Sequence, residues 1–305
     1  MPAMSVDDLR NGARHAWDIA DPAAKCAQVA ALHRQWHAQV RPMPQAPDSP
    51  SGEPALLDDH PLADESVAPG RPARPALVAP RHVPGRSAFT PSGRAALLHA
   101  VAHIEFNAIN LALDVVWRFP AMPPLFAVQW LDVAADECRH FLMLQAELQR
   151  DGHGYGDFAA HDGLWEMAVR TRADLLARMA LVPRVLEAQG LDATPPIQKR
   201  LQAAGDRRGH AILQQILDDE IAHVRCGDRW FRRLARQRRL EPEQAYRDLI
   251  AAFRAPWPRP PFNEAARLAA GFTPPELAWL TRRAGEDGAP GGHRAAANPP
   301  GRQKH

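Results

Sequence analysis

The sequence predicts an all-α fold: a four-helix bundle with additional N- and C-terminal helices and a proline-rich connector. Three observations support this fold class. Apolar residues recur with the spacing of one helix face along four long stretches of the chain. The alternation of apolar and polar residues that is typical of a β-strand is nearly absent. Proline, with 30 of the 305 residues, is concentrated between or outside those stretches.

The N-terminal part of the chain divides into a helical and an extended segment. Residues 1–40 are rich in Ala, Leu and Trp and predict one or two helices. Asp21-Pro22 is a good helix start, because aspartate caps the first turn and proline fits there. Residues 41–92 hold 12 of the prolines. Each proline removes a backbone N–H and restricts the residue before it, so we expect an extended connector.

Residues 93–240 are predicted to form the bundle itself. Pro183 lies inside the third helical stretch, where we expect a kink. Residues 241–284 predict short helices packed on the outside of the bundle, and the polar, Gly- and Pro-rich segment 285–305 predicts a disordered tail. The four helical stretches are 93–118, 125–151, 164–189 and, after Pro195-Pro196, 197–238.

The composition narrows the class of protein. Apolar residues make up 46% and charged residues 24%, which is ordinary for a globular chain. The net charge of +2 gives no reason to expect a nucleic-acid or membrane partner, although the arginine-rich helix end at 229–239 leaves nucleic acid open. Three cysteines without CxxC spacing favour a reducing, cytoplasmic compartment. We expect neither a secretory signal nor a membrane span.

Each predicted bundle helix carries a glutamate within its apolar stripe. In the first helix, Glu105 shares a face with Val101 and Ala108. The opposite, polar face is expected to carry His103, Asn107, Asn110 and Asp114. A lone carboxylate on an apolar face is costly unless it is paired, protonated or bound to a metal.

Two of these glutamates begin the same short pattern. Glu137 and Glu220 each follow an aspartate and precede a histidine by three residues, which makes Glu and His neighbours on the helix. The spacing is also duplicated: 32 residues separate Glu105 from Glu137, and 33 separate Glu187 from Glu220. Four glutamates and two histidines are what a dinuclear metal site in a bundle core requires. The candidate ligands are Glu105, Glu137, His140, Glu187, Glu220 and His223.

The paired pattern resembles the ferritin-like di-iron carboxylate superfamily. More closely, the chain from about 15 to 283 is similar to the bacterial ferritin-like family called domain of unknown function 455. The stretches that carry this similarity are His103–Asp114 (HIEFNAINLALD), His161–Glu166 (HDGLWE), Ala177–Asp192 (ARMALVPRVLEAQGLD) and Asp218–Phe231 (DDEIAHVRCGDRWF).

The resemblance implies two iron ions, or one iron and one manganese ion. It assigns Glu105, Glu137 and His140 to one ion and the corresponding residues of the second pair of helices to the other. Glu137 and Glu220 would bridge the ions. Asp136 and Asp219 would hold the ligand imidazoles by hydrogen bonds, and Arg139 would pair with one of these aspartates.

The function implied by this pattern is a di-iron oxidoreductase that activates dioxygen or peroxide to oxidise or hydroxylate a small or tethered substrate. Electrons would come from an external donor, because no flavin or nicotinamide fingerprint is present. Two other functions stay open: a ferroxidase that handles iron, and a non-enzymatic helical binding protein with a vestigial site. Glu166 is an alternative to Glu187 as the third-helix ligand, although its distance from Glu220 breaks the symmetry.

Overall fold

The computed structural model of the chain describes residues 4–39, 57–62, 68–83 and 87–288. Over these residues the fold is all-α, as the periodicity predicts; the β-pairing is limited to an isolated bridge between Leu77 and Ala160. The helices are α1 (Val6–Asp18), α2 (Pro22–His37), α3 (Pro91–Arg118), α4 (Pro124–Arg150), α5 (Gly163–Arg170), α6 (Leu175–Leu181), α7 (Ala188–Ala203), α8 (Arg207–Gln237), α9 (Pro242–Ala252), α10 (Glu264–Ala269) and α11 (Pro274–Gly288). A π-helical segment, Val182–Glu187, joins α6 to α7.

The long helices pack around one core. Helix α3 lies along α4, and α8 contacts both α4 and the continuous stretch formed by α6, the π-helical segment and α7. The N-terminal helices α1 and α2 cover α3 and α4, whereas α9 and α10 pack on the side of α8. The core therefore has two halves: the N-terminal helices cover one half, and the C-terminal helices α9 and α10 cover the other.

Local signals in the sequence set most of the helix starts. The Asp21 side chain accepts a hydrogen bond from the Ala24 N–H, as the predicted cap requires. Thr90 caps α3 in the same way, with Pro91 in the first turn. Because proline fits the first turn of a helix, α3 begins at Pro91, slightly before the predicted 93.

The predicted boundaries of the third and fourth stretches were wrong. The stretch 164–189 is broken between α5 and α6, where the Asp174 side chain accepts hydrogen bonds from two N–H groups and starts a new helix. Pro195 and Pro196 do not end a helix but lie inside α7. The break comes at Gly205, whose φ of +77° suits glycine, and Asp206 then caps α8.

The connector and the tail are described only in part. Within 41–92, the described residues 57–62, 68–83 and 87–90 are non-helical apart from a short 3₁₀ turn at Pro80–His82, and they run along the helices. The Gly70 N–H donates to the Trp17 carbonyl at 2.9 Å, which ties the connector to α1. Helix α11 extends to Gly288 and therefore includes the first residues of the predicted tail; residues 289–305 lie outside the described part of the chain.

Helix α3 is the most apolar of the long helices. By length and composition alone it is able to cross a membrane. Its most apolar window is 78% buried inside the protein, which is typical of a helix at the centre of a folded core. The helix is 28 residues long and exposes little of its surface, because α4, α1 and α5 all pack against it.

Candidate metal centre

The structure brings the predicted ligands together at the centre of the long helices. Each of the four helical stretches contributes at least one of them: α3 carries Glu105, α4 carries Glu137 and His140, the π-helical segment ends at Glu187, and α8 carries Glu220 and His223. Donor atoms of four of these residues all lie within 4.8 Å of one another, namely those of Glu105, Glu137, His140 and Glu220.

Glu137 lies between the two histidines. Its Oε2 is 3.3 Å from Nδ1 of His140, and its Oε1 is 3.0 Å from Nδ1 of His223. Each imidazole also meets a second carboxylate through the same nitrogen: His140 meets Glu105 at 3.1 Å, and His223 meets Glu220 at 3.4 Å. One carboxylate thus faces both halves of the cluster, the position expected for a bridging ligand.

The outer nitrogens of both imidazoles are held by aspartates from the opposite motif. His140 Nε2 lies 3.0 Å from Asp219, and His223 Nε2 lies 3.3 Å from Asp136. Arg139 joins the two aspartates, at 2.6 Å from Asp136 and 2.7 Å from Asp219. The sequence suggests one such pairing for Arg139, and the structure has both. This crossing fixes ring orientation and leaves each Nδ1 directed at the carboxylates.

Glu187 enters the cluster from a distorted helix. Pro183 has no N–H to donate, and the helix takes a π-helical form over Val182–Glu187. Gly227 on α8 lets this segment approach, because a Cβ at that position would overlap the Pro183 ring. Glu187 is buried, and its Oε2 accepts no hydrogen bond from a described protein group. Glu166, the alternative ligand, is exposed on α5, away from such a role.

Electrostatics favours a cation at this cluster. Burial and the neighbouring Glu137 raise the pKa of Glu105 to about 8, and burial with Glu220 nearby raises that of Glu187 well above its usual range. Burial alone would lower the pKa of His140, but its hydrogen bonds to Glu105 and Glu137 raise it to about 11. The raised pKa values mean that Glu105, Glu187 and His140 retain protons where several carboxylates lie close together. Divalent cations would replace those protons.

The donor set fits a pair of metal ions. Four carboxylates balance the charge of two divalent cations, and oxygen with imidazole nitrogen is a combination that iron and manganese accept. The unpartnered Oε2 of Glu187 is a buried acceptor whose desolvation costs about 1–3 kcal/mol when nothing binds it. A cation would bind that oxygen, so the orphaned atom is itself an argument for the fit.

A buried cation supports the π-helical segment, and sequence reasoning missed it. Arg184 is fully buried and forms ion pairs with Asp228 on α8 at 2.9 Å and with Glu276 on α11 at 2.6 Å. The Tyr246 hydroxyl on α9 donates to the Arg184 carbonyl at 3.1 Å. The C-terminal helices therefore hold the segment that ends at Glu187. An arginine next to Pro183 inside an apolar run was the available signal.

The predicted polar face of α3 is buried. Side chains from the N-terminal helices, the connector and α6 reach it. The Lys25 ammonium reaches Asn110 at 2.7 Å, and Arg178 reaches Asp114 at 2.7 Å. On the same face, His103 lies 2.8 Å from the Tyr155 hydroxyl, and Arg71 donates to Asn107 at 3.1 Å.

A surface groove leads to the outer side of the cluster. Its volume is about 220 Å³, and it lies between α4 and α8. Asp136 and His223 line it together with Cys226, Arg225 and Arg229. One edge of the cluster is therefore within reach of small molecules, although the ligand side chains on α3 and α4 are buried.

Comparison with known proteins found a matching family and a similar sequence. Residues 18–278 match the model of a family described as Protein of unknown function (DUF455). An uncharacterized protein of Haemophilus influenzae is 46% identical over 233 residues, which cover 73% of this chain and 81% of the relative. A search of solved structures gave no significant match.

Proposed function

Because the chain belongs to the DUF455 family and carries this cluster, we propose that it is a di-iron protein of the ferritin-like type that oxidises or hydroxylates a substrate. The observation that carries the proposal is the arrangement around Glu137, whose two oxygens face the imidazoles of His140 and His223. Four carboxylates converge there from separate helical stretches. A purely structural core would not crowd buried carboxylates in this way.

The residues divide into two sets of donors. Glu105, Glu137 and His140 would hold one ion, and Glu187, Glu220 and His223 would hold the other. Iron ions held by these residues would supply the redox chemistry for reduction of dioxygen or peroxide. Asp136 and Asp219 keep the imidazoles in a fixed orientation throughout.

The surroundings of the cluster suit oxidation chemistry. The side chains of Glu105, Glu137 and His140 are buried, which limits access of water to that half. The groove between α4 and α8 gives a small substrate, or a tethered group on a carrier, a way to the His223 side. Mixed iron and manganese occupancy, an external electron donor and a cytoplasmic location belong to the same proposal.

Metal analysis tests the proposal most directly. We would purify the protein without chelator, load it anaerobically with ferrous iron and measure metal per chain by plasma mass spectrometry. We expect about two ions in the parent protein and a large loss in the Glu137→Ala/Glu220→Ala variant, because both bridging carboxylates are removed. Glu166→Ala is the matched control, since this exposed glutamate should leave the metal content unchanged.

The outcomes separate the possible functions. Iron-loaded protein that consumes dioxygen and recovers its ferrous form with an added reductant supports an oxidase or hydroxylase. Iron that is oxidised and retained as a growing ferric store supports a ferroxidase instead. A fully folded parent protein that holds no metal after ferrous loading contradicts both, and leaves a helical binding protein.

A further inference from the structure

A second group of metal-type ligands lies on the surface between α2 and α4. His33 and His37 are one turn apart on α2, so their rings project from the same side of the helix. Both Nε2 atoms face one oxygen of Asp132 on α4, at 3.0 Å for His33 and 2.7 Å for His37. Three donors from two packed helices therefore converge, and all of them lie within 4.8 Å of one another.

The spacing of these donors is close to that of a cation site. A tetrahedral ion with bonds of about 2.0 Å separates its donor atoms by about 3.3 Å. The two distances to Asp132 fall short of this by a few tenths of an ångström, and a small outward movement of the side chains would open the site. The side chains have room to move, because His33, His37 and Asp132 are 32%, 47% and 44% exposed.

The hydrogen bonds within this group are consistent with a cation site. The Nε2 atoms of both imidazoles lie within hydrogen-bonding distance of the same Asp132 oxygen, which accepts a hydrogen bond from an imidazole protonated at Nε2. A divalent cation would replace such protons and satisfy all three donors at once. Two imidazoles and one carboxylate suit zinc and other late first-row divalent ions, and they leave a position open for water.

We propose that His33, His37 and Asp132 form a second divalent-cation site, separate from the buried cluster, that takes Zn²⁺ or a related late first-row ion. Asp132 and Asp136 are one turn apart on α4 and both line the groove that reaches His223. The second site therefore lies at the rim of the groove between α4 and α8, where a bound ion is accessible to solvent and to a molecule that enters the groove.

Zinc stoichiometry tests this site. The full-length protein is stripped of metal with chelator, dialysed against low-micromolar Zn²⁺ and analysed by plasma mass spectrometry. We expect the His33→Ala/His37→Ala variant to bind one equivalent less than the parent protein. Asp132→Asn keeps both imidazoles but loses the charged oxygen, so we expect it to bind the same ion more weakly.

His60→Ala is the matched control. His60 also pairs with an aspartate, Asp58, at 2.9 Å, but no second imidazole of the described residues joins this exposed pair. Its removal should leave the zinc content unchanged. Equal zinc content in the parent protein and the His33→Ala/His37→Ala variant, both with helical circular dichroism, would overturn the proposal.

The same comparison in the Glu137→Ala/Glu220→Ala background keeps the two sites apart. The buried cluster is disabled in that background. The protein that keeps His33 and His37 should still bind one equivalent of zinc more than the protein that carries His33→Ala/His37→Ala. A loss of that difference would mean that the zinc counted in the parent protein belongs to the buried cluster. The surface site would then be refuted without any consequence for the di-iron proposal.

Discussion

The two halves of the cluster share a sequence pattern but differ in structure. In the first half, α3 and α4 are continuous, and Glu105 is already hydrogen-bonded to His140. In the second half, the helix that carries Glu187 is distorted by Pro183, and the Oε2 of this glutamate has no described protein partner. Equivalent positions in a repeated pattern therefore need not have equivalent surroundings: Glu105 contacts His140, whereas the Oε2 of Glu187 has no hydrogen-bond partner among the described residues.

The supports behind the two halves differ in the same way. Lys25 on α2 is fully buried behind the first half, and its ammonium donates to neutral acceptors, the Trp17 carbonyl at 2.8 Å and Asn110 at 2.7 Å. Arg184 behind the second half is paired with the carboxylates of Asp228 and Glu276. Arg184 is thus a buried cation paired with carboxylates and Lys25 is not, a difference that substitutions can expose.

The largest expected effect belongs to Arg184. Arg184→Met removes the cation but leaves two buried carboxylates, so we expect the free energy of unfolding to fall by about 3–5 kcal/mol. Arg232 still pairs with Asp228 and Glu276 and keeps the loss near the lower figure. Chemical denaturation followed by circular dichroism measures the change.

Arg247→Met is the control for that substitution. Arg184 lies over the Phe231 ring at 4.7 Å, and Arg247 lies over the Trp279 ring at 4.9 Å. The Arg247 side chain, however, is 30% exposed, and its carboxylate partner is 4.0 Å away. We expect a loss below about 1 kcal/mol. Equal losses in the two variants would mean that charge pairing does not anchor the π-helical segment.

A smaller effect is expected where α8 meets Pro183. In Gly227→Ala the added Cβ overlaps a rigid proline ring, so one of the two helices must shift, at a cost of about 1–3 kcal/mol. Gly190→Ala is the matched change: nothing lies within 4 Å of its Cβ, and alanine favours the helix by up to about 1 kcal/mol. Thermal unfolding of both variants checks the opposite signs. A Gly227→Ala protein as stable as Gly190→Ala would contradict the close packing.

The same pair of variants reports on the cluster. Displacement of the π-helical segment moves Glu187 but not Glu105, so Gly227→Ala should lose metal from the second half first. We expect ferrous iron content in this variant to fall toward one ion per chain, while Gly190→Ala keeps the parent value. Loss of both ions together would show that the halves do not behave separately.

Much of the site could be predicted from the sequence because it depends on helix periodicity. Glu105, Glu137 and His140 lie on continuous helices, where positions three or four apart share a face whatever surrounds them. The crossing of Asp136 and Asp219 to opposite histidines depends on how α4 and α8 pack. Sequence spacing predicts the aspartates' role but not which histidine each one contacts.

The errors came from context that a single sequence does not carry. The face of α3 with Asn110 and Asp114 is polar, and only its contacts with Lys25 on α2 and Arg178 on α6 show that it is buried. Pro195-Pro196 resembles a helix end, yet α7 continues through it. In both cases tertiary packing outweighed a sound local signal. In α7, burial of the surrounding residues offsets the loss of one or two backbone hydrogen bonds at the prolines.

The smallest effect at neutral pH, and the most distinctive pH profile, belongs to Lys25. Burial lowers the pKa of its amine to about 7, whereas an unfolded chain keeps the ordinary 10.5. Between these values the unfolded state binds more protons, so the Lys25 contribution to stability rises with pH, by at most about 1.4 kcal/mol per pH unit. In Lys25→Met the removal of a buried amine is offset by two acceptors left unpaired, at about 1–3 kcal/mol each, so we expect a change in the free energy of unfolding within about 1 kcal/mol at pH 7.

Denaturation of the parent protein and of Lys25→Met from pH 7 to 9 isolates the effect of this amine, because every other titrating group is common to the two proteins. The parent protein should gain stability relative to Lys25→Met as the pH rises; parallel curves would mean that Lys25 is paired as firmly as Arg184, and the contrast between the two supports would disappear.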